Sequence, residues 1–236
     1  MKNLYSVKVR LFFSVALLVF LSGSVAAQSY NPNFGRNLLA NPGAETGDLT
    51  GWTILQNGGD GWRVRDSGAH TGQSAFQVSY DWCRKYQVID LVAEGFTEQE
   101  LDEGQNVYIS DWFSGIGVNP SQTLDYGQLK VELRDASHNV IASYDSGVFT
   151  TPEAPTPYGT NYVEYSHVFE DYGAGLRYIY FEHGGIDTEY WAGHYGTLID
   201  SASVVIGTKM IPFSSWAIGL GVLLIGIFVV VIRRSL

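Results

Sequence analysis

Short runs of aromatic and β-branched residues, separated by glycine, proline, asparagine and aspartate, recur along most of this 236-residue chain. Such runs are typical of β-strands, and the residues between them are typical of turns. The runs lie at 62–64, 74–78, 86–91, 107–113, 128–134, 140–144, 162–169, 178–181 and 198–206. Many short strands at this spacing predict an all-β fold, an antiparallel sandwich or barrel. One short helix is expected at 97–101, because Thr97 can cap it and two glutamates occupy its first turn.

The two ends of the chain have a different character. Basic residues and an apolar run from Leu11 to Leu21 precede Val25-Ala26-Ala27, which is typical of a secretory signal peptide. Residues 216–232 are all apolar or glycine and are followed by Arg233 and Arg234, which predicts a transmembrane helix with a cytoplasmic tail. This end also resembles bacterial C-terminal sorting signals.

These features predict an exported domain that a single C-terminal span anchors to the membrane, with the domain on the extracytoplasmic side. The expected segments are a signal peptide at 1–27, a linker at 28–36, a β-sandwich domain at 37–207, a linker with a sorting motif at 208–215, the transmembrane helix at 216–232 and a basic tail at 233–236.

Charge and cysteine content restrict the function. Between the signal peptide and the span, the chain has nine lysines and arginines against 24 aspartates and glutamates, a net charge of −15. An acidic surface argues against nucleic acid and anionic membrane surfaces as partners. Cys83 is the only cysteine, so no internal disulfide forms. We expect Cys83 to be a small buried residue, because no nearby base marks it as a nucleophile.

A glycine-rich loop at 182–196 separates the last two strand patterns. It contains Tyr190 and Trp191 side by side, and its glycines allow sharp turns of the backbone. Two adjacent exposed rings form an apolar platform with polar tips. In the alternative interpretation one ring, Trp191 in the first place, packs into the core while the other covers the edge of the sheet. These residues alone leave both interpretations open.

Motifs along the chain resemble known families. The opening at 37–52 resembles the first strand of secreted jelly-roll modules of the galactose-binding-like type, which often bind carbohydrate. A more specific set of motifs comprises 58–64, 80–95, 111–113, 166–167, 171–173, 181–185 and 190–191. In order and spacing they resemble the F-box-associated domain, the sugar-recognising part of F-box proteins that bind N-glycans. The resemblance covers residues 37–206 and implies a ten-stranded antiparallel β-sandwich with a glycan or glycoprotein partner.

The resemblance also implies where a sugar would be held. In glycan-binding members of the family, loops at one end of the sandwich hold the chitobiose core of N-glycans. By position, the aromatic contact falls on Tyr80 and the hydrogen-bonding acid on Asp125. The stacking pair falls on Tyr190 and Trp191. The lysine that follows this pair in the family is Ala192 here, so one polar contact is missing.

These side chains fit a sugar on chemical grounds as well. The apolar C–H face of a sugar packs on an aromatic ring, and a fixed carboxylate accepts hydrogen bonds from its hydroxyl groups. The structural alternatives are that Tyr80 is a half-buried strand end and that Asp125 is a turn residue bonded to its own backbone.

Other chemistry is less favoured. The five histidines lack zinc-type spacing, and the chain has no nucleophile elbow, phosphate loop or dinucleotide fingerprint, so we expect no metal, cofactor or catalytic residue. Two alternatives remain open. Glu182, Asp187 and Glu189 are candidate glycosidase carboxylates, and Glu45 and Asp200 are candidate ligands of a structural Ca²⁺. Solvated positions in the loop are favoured for the first three, and ordinary turn and strand-end roles for the other two.

The prediction is therefore a non-enzymatic carbohydrate-binding or glycoprotein-binding module at the cell surface. No ubiquitin-ligase partner is expected, because an F-box requires a helical segment before the domain and export separates the domain from that machinery. The alternatives are a surface adhesion or assembly protein without a sugar site and, less favoured, a glycoside-active enzyme. Burial of Tyr190 and Trp191 would favour adhesion, and two carboxylates that face each other across a nearby cleft would favour an enzyme.

Overall fold

The computed structural model describes residues 31–116, 125–152 and 159–207. The elements in chain order are β1 Thr53–Asn57, β2 Arg63–Arg65, β3 Ala75–Gln77, β4 Cys83–Asp90, α1 Glu98–Asp102, β5 Val107–Ser114, β6 Tyr126–Arg134, β7 Val140–Asp145, β8 Phe149–Thr150, β9 Val163–Phe169, β10 Tyr178–Ile186 and β11 Leu198–Ile206. One sheet has the order β1-β4-β10-β6-β7, with β8 beside β6, and the other has the order β2-β3-β11-β5-β9.

All strand pairs among the described residues are antiparallel. The predicted all-β antiparallel sandwich is therefore confirmed. The described ranges contain eleven strands, whereas the resemblance implies ten. All of them lie in the compact unit that begins at Pro32.

The inner faces of the two sheets share one core. Burial alternates along β4 and β5, as it does where successive side chains point to opposite faces of a sheet. Phe76 of one sheet and Phe181 of the other are fully buried, and both pack edge-on against Trp52. Cys83 is fully buried with them, as its sequence context predicts.

The short helix forms as predicted. The hydroxyl group of Thr97 accepts a hydrogen bond from the Glu100 N–H at 3.2 Å. The Glu100 carboxylate accepts one from the Thr97 N–H at 2.8 Å. This capping box satisfies donors at the start of α1, while Leu101 buries the helix against the core.

The expected first strand is wrong. The segment 37–45 makes one isolated bridge, between Asn37 and Val205, and otherwise runs as turns. Pro42 has no N–H group to donate to a ladder, and Asn41 and Ala44 have positive φ angles of 44° and 64°. A backbone with these dihedral angles cannot continue a strand.

The boundary expected for the glycine-rich loop is also wrong. Residues 182–186 belong to β10, which pairs with β4 and β6 along its whole length. Gly184 and Gly185 permit this, because a Cβ atom at Gly184 would clash with the Cys83 carbonyl oxygen. The loop itself therefore runs from 187 to 197, and we call it the aromatic loop.

Five connections cross from one sheet to the other at the same end of the sandwich. They join β1 to β2, β3 to β4, β5 to β6, β8 to β9 and β10 to β11. The register places these ends side by side, since Cys83 pairs with both Asn57 and Gly185, and Leu198 pairs with both Gln77 and Ser114. We call this the loop end. It gathers segments 58–62, 78–82, 187–197 and the described parts of 115–125 and 151–162, which are far apart in sequence.

The predicted signal peptide at 1–27, the segment at 208–215, the span at 216–232 and the tail at 233–236 lie outside the described residues. Among the residues that are described, no helix has the length and apolar character needed to cross a membrane.

Candidate functional site

The backbone of the aromatic loop is fixed by a buried carboxylate at its start. Oδ1 of Asp187 accepts hydrogen bonds from the N–H groups of Glu189 at 2.8 Å and Tyr190 at 3.0 Å. This is the local pattern by which an aspartate stabilises a turn. The N–H group of Asp187 donates to the Ser79 carbonyl oxygen at 2.9 Å. The chain is therefore held in place directly before Trp191.

A second set of bonds holds the loop beyond Trp191. The N–H group of Gly193 donates to the Asp60 carboxylate at 2.8 Å, and the Ser79 hydroxyl group donates to the Gly193 carbonyl oxygen at 2.7 Å. The same hydroxyl group accepts from the Asp60 N–H at 3.0 Å. Because Ser79 is fully buried, this cluster fastens the aromatic loop to the loops at 58–62 and 78–82.

Trp191 is exposed to solvent at the loop end. Its side chain is 86% exposed, so the interpretation in which it packs into the core is wrong. Tyr190 is half-buried, and its ring centroid lies 4.7 Å from that of Tyr195, with the planes tilted by 44°. The loop thus presents one uncovered ring next to two that support each other.

The other two predicted site residues also lie at the loop end. Tyr80 is half-buried, and its ring packs against Gly59, where a Cβ atom would lie 3.1 Å from ring carbons. Asp125 is only 7% exposed, and its Oδ1 accepts from the Thr188 N–H at 3.2 Å. Asp125 therefore bonds the backbone of the aromatic loop, across 63 residues of sequence.

Sequence reasoning missed the residues that hold the aromatic loop. Asp187 was considered only as a candidate glycosidase carboxylate, although its position two and three residues before Glu189 and Tyr190 is the spacing of an Asx turn. Asp60 lies in a turn pattern with no mark of its long-range role. Ser79 carries no signal of its own, because its partner Gly193 is 114 residues away.

A buried polar cluster lies between the sheets. Lys85, Asp111 and His183 are fully buried, and His183 Nδ1 lies 2.6 Å from an Asp111 carboxylate oxygen. Burial lowers the pKa of Lys85 and of His183 and raises the pKa of Asp111. The Lys85 ammonium is surrounded by the rings of Trp52, Trp62 and Phe76, which we call the aromatic cage. Because all three side chains are fully buried, a structural role is favoured for this cluster.

The two candidate Ca²⁺ ligands have backbone partners. The Glu45 carboxylate accepts from the N–H group of Ser74 at 3.0 Å. The Asp200 carboxylate accepts from the N–H groups of His70 at 2.6 Å and Thr71 at 3.0 Å. Both acids thus secure the loop before β3, which is the kind of role that was favoured for them.

Solved structures of similar shape align only weakly. A carbohydrate-binding module, TmCBM61 in complex with β-1,4-galactotriose, is 16% identical, with 74% of this chain and 99% of that chain covered and a TM-score of 0.46. The CBM22-1 xylan-binding domain from Paenibacillus barcinonensis Xyn10C is 15% identical, with 76% and 99% covered and a TM-score of 0.46. At this level of similarity neither structure identifies a ligand for this chain.

Sequence relatives are much closer. F-box only protein 2 of Bos taurus is 40% identical over 182 residues, which cover 72% of this chain and 58% of that protein. F-box only protein 6 of Homo sapiens is 40% identical over 187 residues, which cover 74% and 60%. F-box only protein 27 of Mus musculus is 38% identical over 179 residues, which cover 73% and 60%. The chain spans about three fifths of the length of these relatives.

These relatives correct the predicted location. They are F-box only proteins, and this contradicts the expected export and membrane-anchored display at the cell surface. The relatives are mammalian, so a bacterial sorting signal has no support, and neither has the expected lack of a ubiquitin-ligase partner. The family itself is clear: residues 30–206 match the model of the F-box associated region, and the chain belongs to the F-box-associated domain family.

Proposed function

We propose that this domain is a non-catalytic module that binds carbohydrate, alone or on a glycoprotein, at the loop end. Membership of the F-box-associated family supports a glycan ligand. The observation that carries the proposal is Trp191, a large apolar ring that is 86% exposed on a backbone fixed by hydrogen bonds. Exposed rings on fixed backbone are prepared contact surfaces, since little ordering is required when a ligand packs on them.

We propose different roles for the four predicted residues. Trp191 and Tyr190 pack against the C–H face of the sugar, and Tyr80 offers a second ring from the neighbouring loop. Asp125 acts as a positioning residue, because it is nearly buried and its carboxylate holds Thr188 just before the stacking pair. The missing lysine at Ala192 predicts weaker binding of the chitobiose core than a family member with that lysine has.

The two alternatives receive less support. Burial of Tyr190 and Trp191 would have favoured adhesion without a sugar site. Trp191 is exposed, so this support is lacking. For a glycosidase, Asp187 is 2% exposed and engaged with loop backbone. Glu182 accepts from the Tyr180 hydroxyl group at 2.6 Å and lies near Arg84. These contacts favour structural roles for both carboxylates.

The test is a glycan-array screen of the full chain, in wild-type form and as Trp191→Ala. A matched control is Tyr108→Ala, because Tyr108 is 42% exposed but lies near the start of β5, away from the loop end. We expect wild type and Tyr108→Ala to bind glycans that contain the chitobiose core, and Trp191→Ala to bind them at least tenfold more weakly. Equal binding by Trp191→Ala, or no binding by well-folded wild type, contradicts the proposal.

A further inference from the structure

A cleft of about 290 Å³ opens beside the aromatic loop. Its described lining consists of Arg63, Arg65, Gln77, Ile116, Gly193, His194 and Tyr195. Val64 and Phe76 pack into the core, so the alternation of side chains along β2 and β3 directs their arginines and glutamine away from it. The cleft therefore lies on the outer side of the five-stranded sheet and shares the aromatic loop with the candidate sugar site.

Several buried polar atoms of the cleft have no hydrogen-bond partner among the described residues. Gln77 is fully buried, and while its Oε1 accepts from Arg63, its Nε2 amide group has no partner among the described residues. Nη1 of Arg65 and Nε2 of His194 are likewise buried without a partner there. An unsatisfied buried donor costs about 1–3 kcal/mol. A ligand that accepts from several of these groups at once would remove that cost.

The charge of the cleft is positive. Its described lining has two arginines and no carboxylate, and neither arginine forms an ion pair within the described ranges. This is unusual for a chain with 24 acidic and 14 basic residues, because an excess of carboxylates favours ion pairs for its arginines. Burial, together with the charge of Arg63, lowers the pKa of Arg65, so a nearby negative charge would be stabilising.

We propose that this cleft binds a small anionic group, a carboxylate, sulfate or phosphate, held by Arg65, Gln77 and His194. The planar guanidinium group of arginine matches such oxyanions in geometry as well as charge. One source of the anion is an acidic substituent on a glycan whose neutral part packs on Trp191, and this source rests on the proposed function. The other source is a free inorganic anion.

The direct test is a titration of the full chain with sodium sulfate at constant ionic strength, with chloride as the replaced anion. Side-chain N–H signals of Gln77 and Arg65 are followed by ¹H–¹⁵N NMR. We expect both signals to shift along one saturable isotherm. No saturable shift would mean that the donors are satisfied by water alone and would overturn the proposal.

Variants locate the binding. Arg65→Gln keeps a polar side chain but removes the charge, and we expect it to weaken sulfate binding at least tenfold. His194→Ala, a second variant in case Arg65→Gln folds poorly, is expected to weaken it several-fold. Arg36→Gln changes an arginine outside the cleft that pairs with Glu94, and it should titrate like wild type. Equal affinity in all four proteins contradicts the assignment to this cleft.

The source of the anion is decided by pairs of oligosaccharides that differ only in one sulfate or carboxylate group. A preference for the acidic member that is lost in Arg65→Gln, with affinity for the neutral member unchanged, identifies a glycan substituent. Equal affinity for both members, with sulfate binding intact, identifies a free anion. If neither oligosaccharide binds, the proposed function is contradicted. The sulfate titration then still tests whether the cleft binds an anion.

Discussion

The chain uses aromatic side chains in two opposite ways. In the aromatic cage, buried rings surround the ammonium group of Lys85, whose Nζ lies 4.7 Å from the Trp52 ring centroid and 4.4 Å from that of Trp62. In the aromatic loop, Trp191 is 86% exposed and has nothing on its face among the described residues. The cage encloses a lysine of the same chain, whereas the loop leaves its principal ring uncovered.

This comparison indicates that aromatic residues alone do not identify a binding site. The cage is filled by the side chain of Lys85, which is fully buried among the rings. The backbone of the aromatic loop is held by hydrogen bonds to Asp187 and Ser79, yet its tryptophan is uncovered. An ordered backbone that carries an uncovered ring favours a ligand site, and of these two regions the loop has both.

The largest expected contrast is in stability. Trp52→Ala removes a ring that packs on Phe76 and Phe181, and we expect the free energy of unfolding to fall by about 3–5 kcal/mol. Trp191→Ala should change it by less than about 0.5 kcal/mol. Urea denaturation of both variants measures the difference. Equal effects would mean that Trp191 is part of the core.

The next expected effect concerns the hydroxyl group of a tyrosine outside the aromatic loop. The buried Tyr172 hydroxyl group donates to the Gln105 carbonyl oxygen, and burial raises the pKa of Tyr172 to about 12. Because the neutral form is favoured in the folded state, this stabilisation is complete below pH 10 and is lost as the pH rises toward 12. We expect the free energy of unfolding to fall by on the order of 2 kcal/mol across that range.

Tyr172→Phe should remove much of this alkaline loss, which a pH series of urea denaturation curves will show. The same steep alkaline loss in Tyr172→Phe would assign it to other groups.

A smaller effect is expected where loop order, rather than the ring itself, is changed. Asp187→Ala removes the acceptor for the N–H groups of Glu189 and Tyr190. Two lost hydrogen bonds at about 1 kcal/mol each loosen the loop, so affinity for the array-selected glycan should fall three- to tenfold. Amide hydrogen exchange at 189 and 190 should accelerate in the same variant. Faster exchange with unchanged affinity would show that the order of the loop does not contribute to glycan binding.

The smallest effect tests the departure from the family pattern. Ala192→Lys restores the lysine that follows the stacking pair in related glycan-binding domains, and we expect a gain of two- to fivefold in affinity for chitobiose. Ala192→Met, of similar length and uncharged, is the control and should give no gain. A gain with methionine would indicate added apolar contact rather than a polar bond to the sugar.

The sequence predicted what depends on local pattern. Alternation and turn residues located most strands, and the Thr97 capping box appears where its spacing placed it. Long-range contacts were not predictable in this way. The bond from Thr188 to Asp125 spans 63 residues and that from Ser79 to Gly193 spans 114, and only the folded topology brings these partners together.

The exposure of Trp191 was equally beyond local pattern, because the same two adjacent rings are compatible with a core or a surface position. What decided the question is the anchoring of the aromatic loop on both sides of the ring. The glycines of β10 were predicted as loop for a similar reason, since glycine favours turns and also permits close strand packing, as it does at Gly184.

The proposed function depends on contact between the sugar and the exposed ring of Trp191. Isothermal titration of the full chain with chitobiose tests it most directly, with wild type, Trp191→Phe and Trp191→Ala compared at one protein concentration. We expect a saturable binding heat for wild type, partial affinity for Trp191→Phe, which keeps an apolar ring, and at least a tenfold loss for Trp191→Ala. Equal affinity in all three, or no heat from well-folded wild type, would contradict it.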